Sequence, residues 1–227
     1  MKSSALFLLI SITLNLFFSQ ICTAQVNSFV IDSSKFKVAL LPILDTIYKD
    51  DQSYRVQLSE LRKKNATENE ISAMSSKIKS KDSINLIKVK EILHKHGWLG
   101  PQEVGMNGSQ ALFLVIQHAD LPTQKTYIDL IRKAEKDGKT LSSNLAILED
   151  RIAMREGRKQ LYGSQGFKDK VTNKNYIYPI DAPDQLDERR KAMGMPPMST
   201  YITDWNLEHY KKDLPNIERI VKEQNIK

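Results

Sequence analysis

Between residues 41 and 64, apolar side chains recur in alternating steps of three and four. Leu44, Ile47, Tyr54, Leu58 and Leu61 fall on one stripe, the pattern of an amphipathic α-helix with a single buried face. Pro42 stands in the first turn, where a missing N–H costs nothing. A second helix is predicted over 67–95, opened by the Thr67/Glu70 capping pattern and stopped by Gly97, with Met74, Ile78, Val89 and Ile92 as its seam. Residues 101–108 read as a loop. Ser109 caps a short helix through Ala119, and its centre, 111–116, is apolar on every side. Pro122 opens a helix to about Lys136, stopped by Gly138; Thr140 or Ser142 caps the next, which ends near Gly157. Helices joined by such short connections predict an antiparallel bundle.

After Gly157 the punctuation changes. Residues 160–166 and 175–180, separated by a polar Lys/Asn stretch, predict the arms of a small β-hairpin. A helix over 183–192, an elbow at 193–198 and a polar, peripheral tail complete the chain. The predicted fold class is mainly α. A helical bundle spans 41–201 with a hairpin at about 159–180, after an N-terminal lead of 25–40 and before a tail of 202–227.

The first 24 residues change the picture of where the protein works. Lys2, an apolar run over 5–18, and the residues Cys22 and Ala24 predict a secretory signal peptide cleaved before Gln25. The run falls short of the roughly 20 residues that a membrane span needs. The expectation is an exported protein, periplasmic or secreted, with no membrane attachment after cleavage. Cys22 is the single cysteine, so no disulfide is expected and a hydrophobic core must hold the domain. A net charge of +7 with 41% apolar and 27% charged residues excludes a disordered or multi-span chain. Basic and acidic residues are interleaved rather than blocked, which predicts solvated helix faces and no specific nucleic-acid partner.

Polar residues interrupt the stripes where apolar ones belong. Asp51 lies in the middle of the first stripe with Arg55 one turn on, and Asp82 and Asn85 break the second. Gln117 and His118 end the encased helix, and Arg151 projects between two apolar rows with Asp150 at the margin. An unpaired buried charge costs several kcal/mol and a neutral polar group roughly 1–3. Four helices with such defects predict that these residues meet in one interior cluster, rimmed by Gln160, Tyr162 and Gln165.

The motifs Gly97-Trp98, Gln117-His118-Ala119-Asp120, Glu149-Asp150-Arg151 and Gln160-Leu-Tyr-Gly-Ser-Gln165 resemble those of a bacterial family, domain of unknown function 6624. The resemblance extends to Asp51-Gln52, Arg55, Asp82, Asn85 and Asp187-Glu-Arg-Arg190, with Leu99 and Ser164 departing from the usual proline and threonine. It implies a shared polar centre and a bacterial source, and no reaction.

Three functions fit these residues. A histidine oriented by an aspartate and accompanied by an arginine performs general acid–base chemistry. His118 would carry the proton, Asp150 or Asp82 would orient it, and Arg151 or Arg55 would stabilise a developing anion, as in a hydrolase or lyase. The alternative is a non-catalytic pocket for a small polar or anionic ligand, lined by Asp51, Arg55, Asp82, Asn85, Gln117, Gln160, Tyr162 and Gln165. The third is a hydrogen-bonded network that only sets helix register. No cofactor is expected, and no metal-ligand spacing of the His-Glu-x-x-His or paired-cysteine kind is present.

Overall fold

Pro42 at the start of a helix and the stripe behind it shape the first element. In the computed structural model, which describes residues 31–227, α1 runs Leu41–Lys63 and buries Leu44, Ile47 and Asp51. The expected leader over 1–24 lies outside the described residues. Helix α2 spans Glu68–His96 and opens on a complete capping box: Thr67 Oγ1 accepts from the Glu70 amide, and the Glu70 carboxylate accepts from the Thr67 amide at 2.9 Å. It runs back along α1.

The expected loop at 101–108 is helical instead. Helix α3 spans Pro101–His118, with Pro101 in its first turn and the Gly100 amide donating to the Glu103 carboxylate at 2.9 Å. The chain kinks at Gly105, whose φ of 72° is open to glycine at little cost. Gly105 therefore marks a bend within a helix rather than its absence, and Gly108 lies in regular helix against Val104 and Leu44. Helix α4, Leu121–Lys136, is capped by Asp120, whose side chain accepts from the Thr123 amide. Helix α5 is Ser142–Arg155; Leu141 is its N-cap, and neither Thr140 nor Ser142 bonds the first-turn amides. Thr140 accepts instead from Asn144, and Ser142 donates to Glu135.

Helix α3 is the hub. Leu112, Phe113, Val115 and Ile116 pack against Leu44 and Ile47 of α1, Val89 of α2, Ile131 of α4 and Leu148 of α5. Trp98 joins this core at 4% exposure.

Strands β1, Gly166–Lys168, and β2, Asn175–Ile177, pair antiparallel with Phe167 opposite Tyr176. The hairpin is shorter than predicted. Residues 161–165 form a loop whose polar groups are bound by side chains, and Gln160 makes one parallel bridge to Ile180. Helices α6, Leu186–Ala192, and α7, Met198–Tyr201, follow.

The tail is not peripheral. Its residues form α8, Leu207–Glu223, which buries Tyr210, Ile217 and Ile220. Tyr210, Ile217, Ile180, Leu186 and Met198 make a second apolar cluster. The Tyr210 hydroxyl accepts from the Ile180 amide at 2.7 Å and donates to the Tyr178 carbonyl at 3.3 Å. Pro215 and many charges hide this helix from a reading by punctuation, because Pro215 sits inside it.

Candidate functional site

Helix α1 supplies Asp51 and the end of α3 supplies His118. The imidazole Nδ1 lies 2.8 Å from Asp51 Oδ1, and the Asp51 side chain is 1% exposed against 17% for His118. A carboxylate only accepts, so Nδ1–H donates, and in the neutral ring Nε2 is left with a free lone pair. No described residue bonds to that second nitrogen. The other Asp51 oxygen accepts from Gln52 Nε2 at 2.7 Å.

Arg55, one turn beyond Asp51, lies 3.4 Å from its carboxylate and donates to its backbone carbonyl. The other arm of the guanidinium reaches α2, with bonds of 3.0 and 2.9 Å to the two oxygens of Asp82. Burial pushes the Asp51 carboxyl up, but His118, Arg55 and Gln52 outweigh it and hold the group below the usual carboxylate range. Among the described residues no three histidine, cysteine or acidic side chains gather as a metal site. Between Asp51 and Asp82 stands the guanidinium of Arg55.

Two of the expected site residues carry buried, unsatisfied atoms, as Trp98, Gln124 and Arg190 also do. Both polar atoms of the Asn85 side chain are enclosed with no hydrogen-bond partner among the described residues, and so is Arg151 Nε. The α1–α2 register is set by the Asp50–Lys81 and Arg55–Asp82 pairs, which places Asn85 level with Asp51. Arg151 makes no ion pair among the described residues. Burial first, and then the positive charges of Arg155 and Arg55, pull its guanidinium below the usual arginine range. Its neighbour one turn on, Arg155, donates to the Ala119 carbonyl at 2.6 Å, beside His118 in the chain.

Asp150 belongs to a different construction. Its carboxylate, 1% exposed, accepts from the amides of Leu161, Tyr162 and Ser164 and from the Ser164 hydroxyl, at 2.7 to 3.2 Å. Arg189 donates to the Leu161 carbonyl and Arg190 to the Tyr162 carbonyl. Gln160, fully buried, spans the loop: Nε2 donates to the Gln165 and Tyr178 carbonyls, and Oε1 accepts from the Gln165 amide. Gly163 turns this loop at φ 66°, where a Cβ would come within 3.2 Å of Ile180 and Met198. Burial, with Glu149 and Asp150 nearby, pushes the Tyr162 phenol up to about 12.

The expected single cluster therefore divides at α5. Asp51, Arg55, Asp82 and His118 meet directly. Asp150, Gln160 and Gln165 hold a loop. The orienting acid of His118 is Asp51 and not Asp150 or Asp82, because Asp150 is committed to four loop donors and Asp82 to Arg55. Gln117 is buried, and its backbone carbonyl accepts from Gln124. Sequence reasoning missed Arg155, and it named Gln52, Arg189 and Arg190 only within the resemblance, without the bonds they make. Arg155 carried a signal, since it stands four residues after Arg151 on one helix. The best-formed surface clefts lie elsewhere; one of about 300 Å³ is lined by Lys125, Arg132, Glu149, Glu156 and Arg158. The centre is thus a polar seam, open to water at Arg55, Asp82 and His118 and closed at Asp51.

No curated protein and no solved structure matches the chain. A family model described as a family of unknown function, DUF6624, matches residues 35–210. That span contains α1 to α7 and ends on Tyr210, the α8 residue that bonds the Ile180 amide. The chain belongs to this family of unknown function, DUF6624.

Proposed function

We propose that the protein is an exported acid–base enzyme, a hydrolase or lyase, in which His118 moves the proton. The observation that carries this reading is the His118–Asp51 pair: a 2.8 Å bond to a carboxylate that is 1% exposed, with the second ring nitrogen uncommitted. A buried carboxylate on Nδ1 fixes the tautomer and the ring's direction, and it stabilises the imidazolium that forms when Nε2 takes a proton. Arg55, or Arg151, supplies positive charge for an anion developing on the substrate. The leader-like start of the chain supports export.

The division at α5 favours this over a network that only sets register. Asp150 accepts from four loop donors and Gln160 bonds on both sides of its amide, whereas Nε2 of His118 is left without a partner among the described residues. General acid–base groups contribute about 10²–10⁴ in rate. In a screen of p-nitrophenyl esters, phosphates and glycosides and of bacterial envelope fractions, His118→Ala lowers the turnover found with the parent by that factor, with an unchanged circular dichroism spectrum. Equal turnover by parent and variant would refute the assignment.

A further inference from the structure

The outward face of α2 leaves two isoleucines in water. Ile84 is 46% exposed and Ile87 61%, one turn apart, while Asn85, Val89 and Ile92 on the other side of the helix are buried. A single exposed isoleucine is ordinary; two adjacent on one helix face form a patch. The patch continues onto α1. Ile43, 42% exposed, joins Pro42, Thr46, Lys88, Glu91 and Ile92 in lining a shallow groove of about 380 Å³ between the two helices.

Lysines frame this patch on both sides. At about 100° per residue, Lys77, Lys88 and Lys95 fall along one margin of the isoleucines and Lys79 and Lys90 along the other. All are exposed except Lys88, which is half-buried, and none of the five makes an ion pair among the described residues. Glu91 is the acid on this face, and Asp50, which α1 brings to its edge, is taken by Lys81 at 2.9 Å. With His94 neutral, the face therefore carries a net charge of +4 around an apolar centre.

We propose that this face of α2 docks the protein on an anionic membrane surface, with Ile84 and Ile87 seated among the headgroups and the lysines against the lipid phosphates. Lysine stems lie along the apolar zone while their ammonium groups stay at the phosphate level. The five ammonium groups are flexible point charges spread over about 27 Å of helix, which suits a diffuse sheet of headgroup charge rather than one pocketed anion. The absence of membrane attachment expected after leader cleavage concerns the apolar run; this contact is a separate and reversible one. It is independent of the acid–base reading, because Asp82, bound to Arg55, lies on the opposite side of α2 from the isoleucines.

The test is flotation of the full mature chain with vesicles of phosphatidylglycerol and phosphatidylcholine mixed equally, against vesicles of phosphatidylcholine alone. The parent partitions to the anionic vesicles at low salt, is released as sodium chloride rises, and stays free of the neutral ones. Each lysine near the surface is worth about a fivefold change in partitioning, so Lys90→Gln with Lys95→Gln lowers it by about 25-fold. Ile84→Ser with Ile87→Ser lowers it by about tenfold or more. All four positions are exposed, and an unchanged circular dichroism spectrum shows that each variant is folded. Should the serine variant not fold, the glutamine variant carries the test. No flotation of the parent with anionic vesicles, equal flotation with neutral ones, or partitioning that neither variant weakens overturns the proposal. A parent that stays off vesicles but sediments as a dimer dissolved by the serine variant overturns it too, and gives the face to a second copy of the chain.

Discussion

Asp51 holds its charge at 1% exposure because three neighbours share the cost: His118 and Gln52 each bond one oxygen, and Arg55 sits 3.4 Å away. Without them burial would neutralise the group; with them its pKa falls below the ordinary value. A carboxyl whose pKa is depressed on folding adds stability at high pH, where both states are ionised, and loses it as acid protonates the folded form. Asp51→Asn therefore costs roughly 1–3 kcal/mol at pH 7. The deficit is fully present above the unfolded carboxyl value of about 3.9 and shrinks as pH falls through the lower folded value. Urea unfolding at pH 7 and pH 3 measures both. A deficit that stays the same at the two pH values would show that the ionised carboxylate does not stabilise the fold.

At the scale of elements, α5 faces two ways. Asp150 binds the loop 161–164 while Arg155, further along the same helix, donates to the Ala119 carbonyl next to His118 in the chain, so α5 touches both the loop and the end of α3. Replacing Asp150 by Asn keeps the shape but turns an amide NH₂ toward N–H donors, at a cost of about 2–4 kcal/mol. Amide hydrogen exchange of Leu161, Tyr162 and Ser164 then speeds up, while that of α1 stays as in the parent; unchanged loop protection would contradict the clamp. Much of this was legible in the chain. The striped helices α1, opened by Pro42, and α2, opened by its capping box, stand where periodicity puts them, within a residue or two. What escaped was decided by tertiary partners: a helical 101–108 around the Gly105 kink, and α8, whose apolar side finds Ile180 and Met198 only in three dimensions. Which aspartate meets His118 was equally hidden, since spacing along α1, α2 and α5 made three carboxylates available.

The molecule as a whole joins a helical core around α3 to a smaller cluster under α8, and the polar seam lies at the α1–α2–α3 side of that core. That polar residues in separate stripes would find one another was readable from the cost of buried polarity, and Asp51, Arg55, Asp82 and His118 do; that Asp150, Gln160 and Gln165 form a separate loop clamp was not. The central claim is that separate helices deliver an imidazole to a buried carboxylate in one tautomer, with Nε2 free to take a proton. The ¹⁵N histidine spectrum of the uniformly labelled protein, with His118 assigned by its absence in His118→Ala, tests this directly. The account predicts that the neutral form of the His118 ring carries its proton on Nδ1 in the parent, and that this preference is lost in Asp51→Asn. A ring protonated at Nε2 in the parent, or the same spectrum in both proteins, would contradict it.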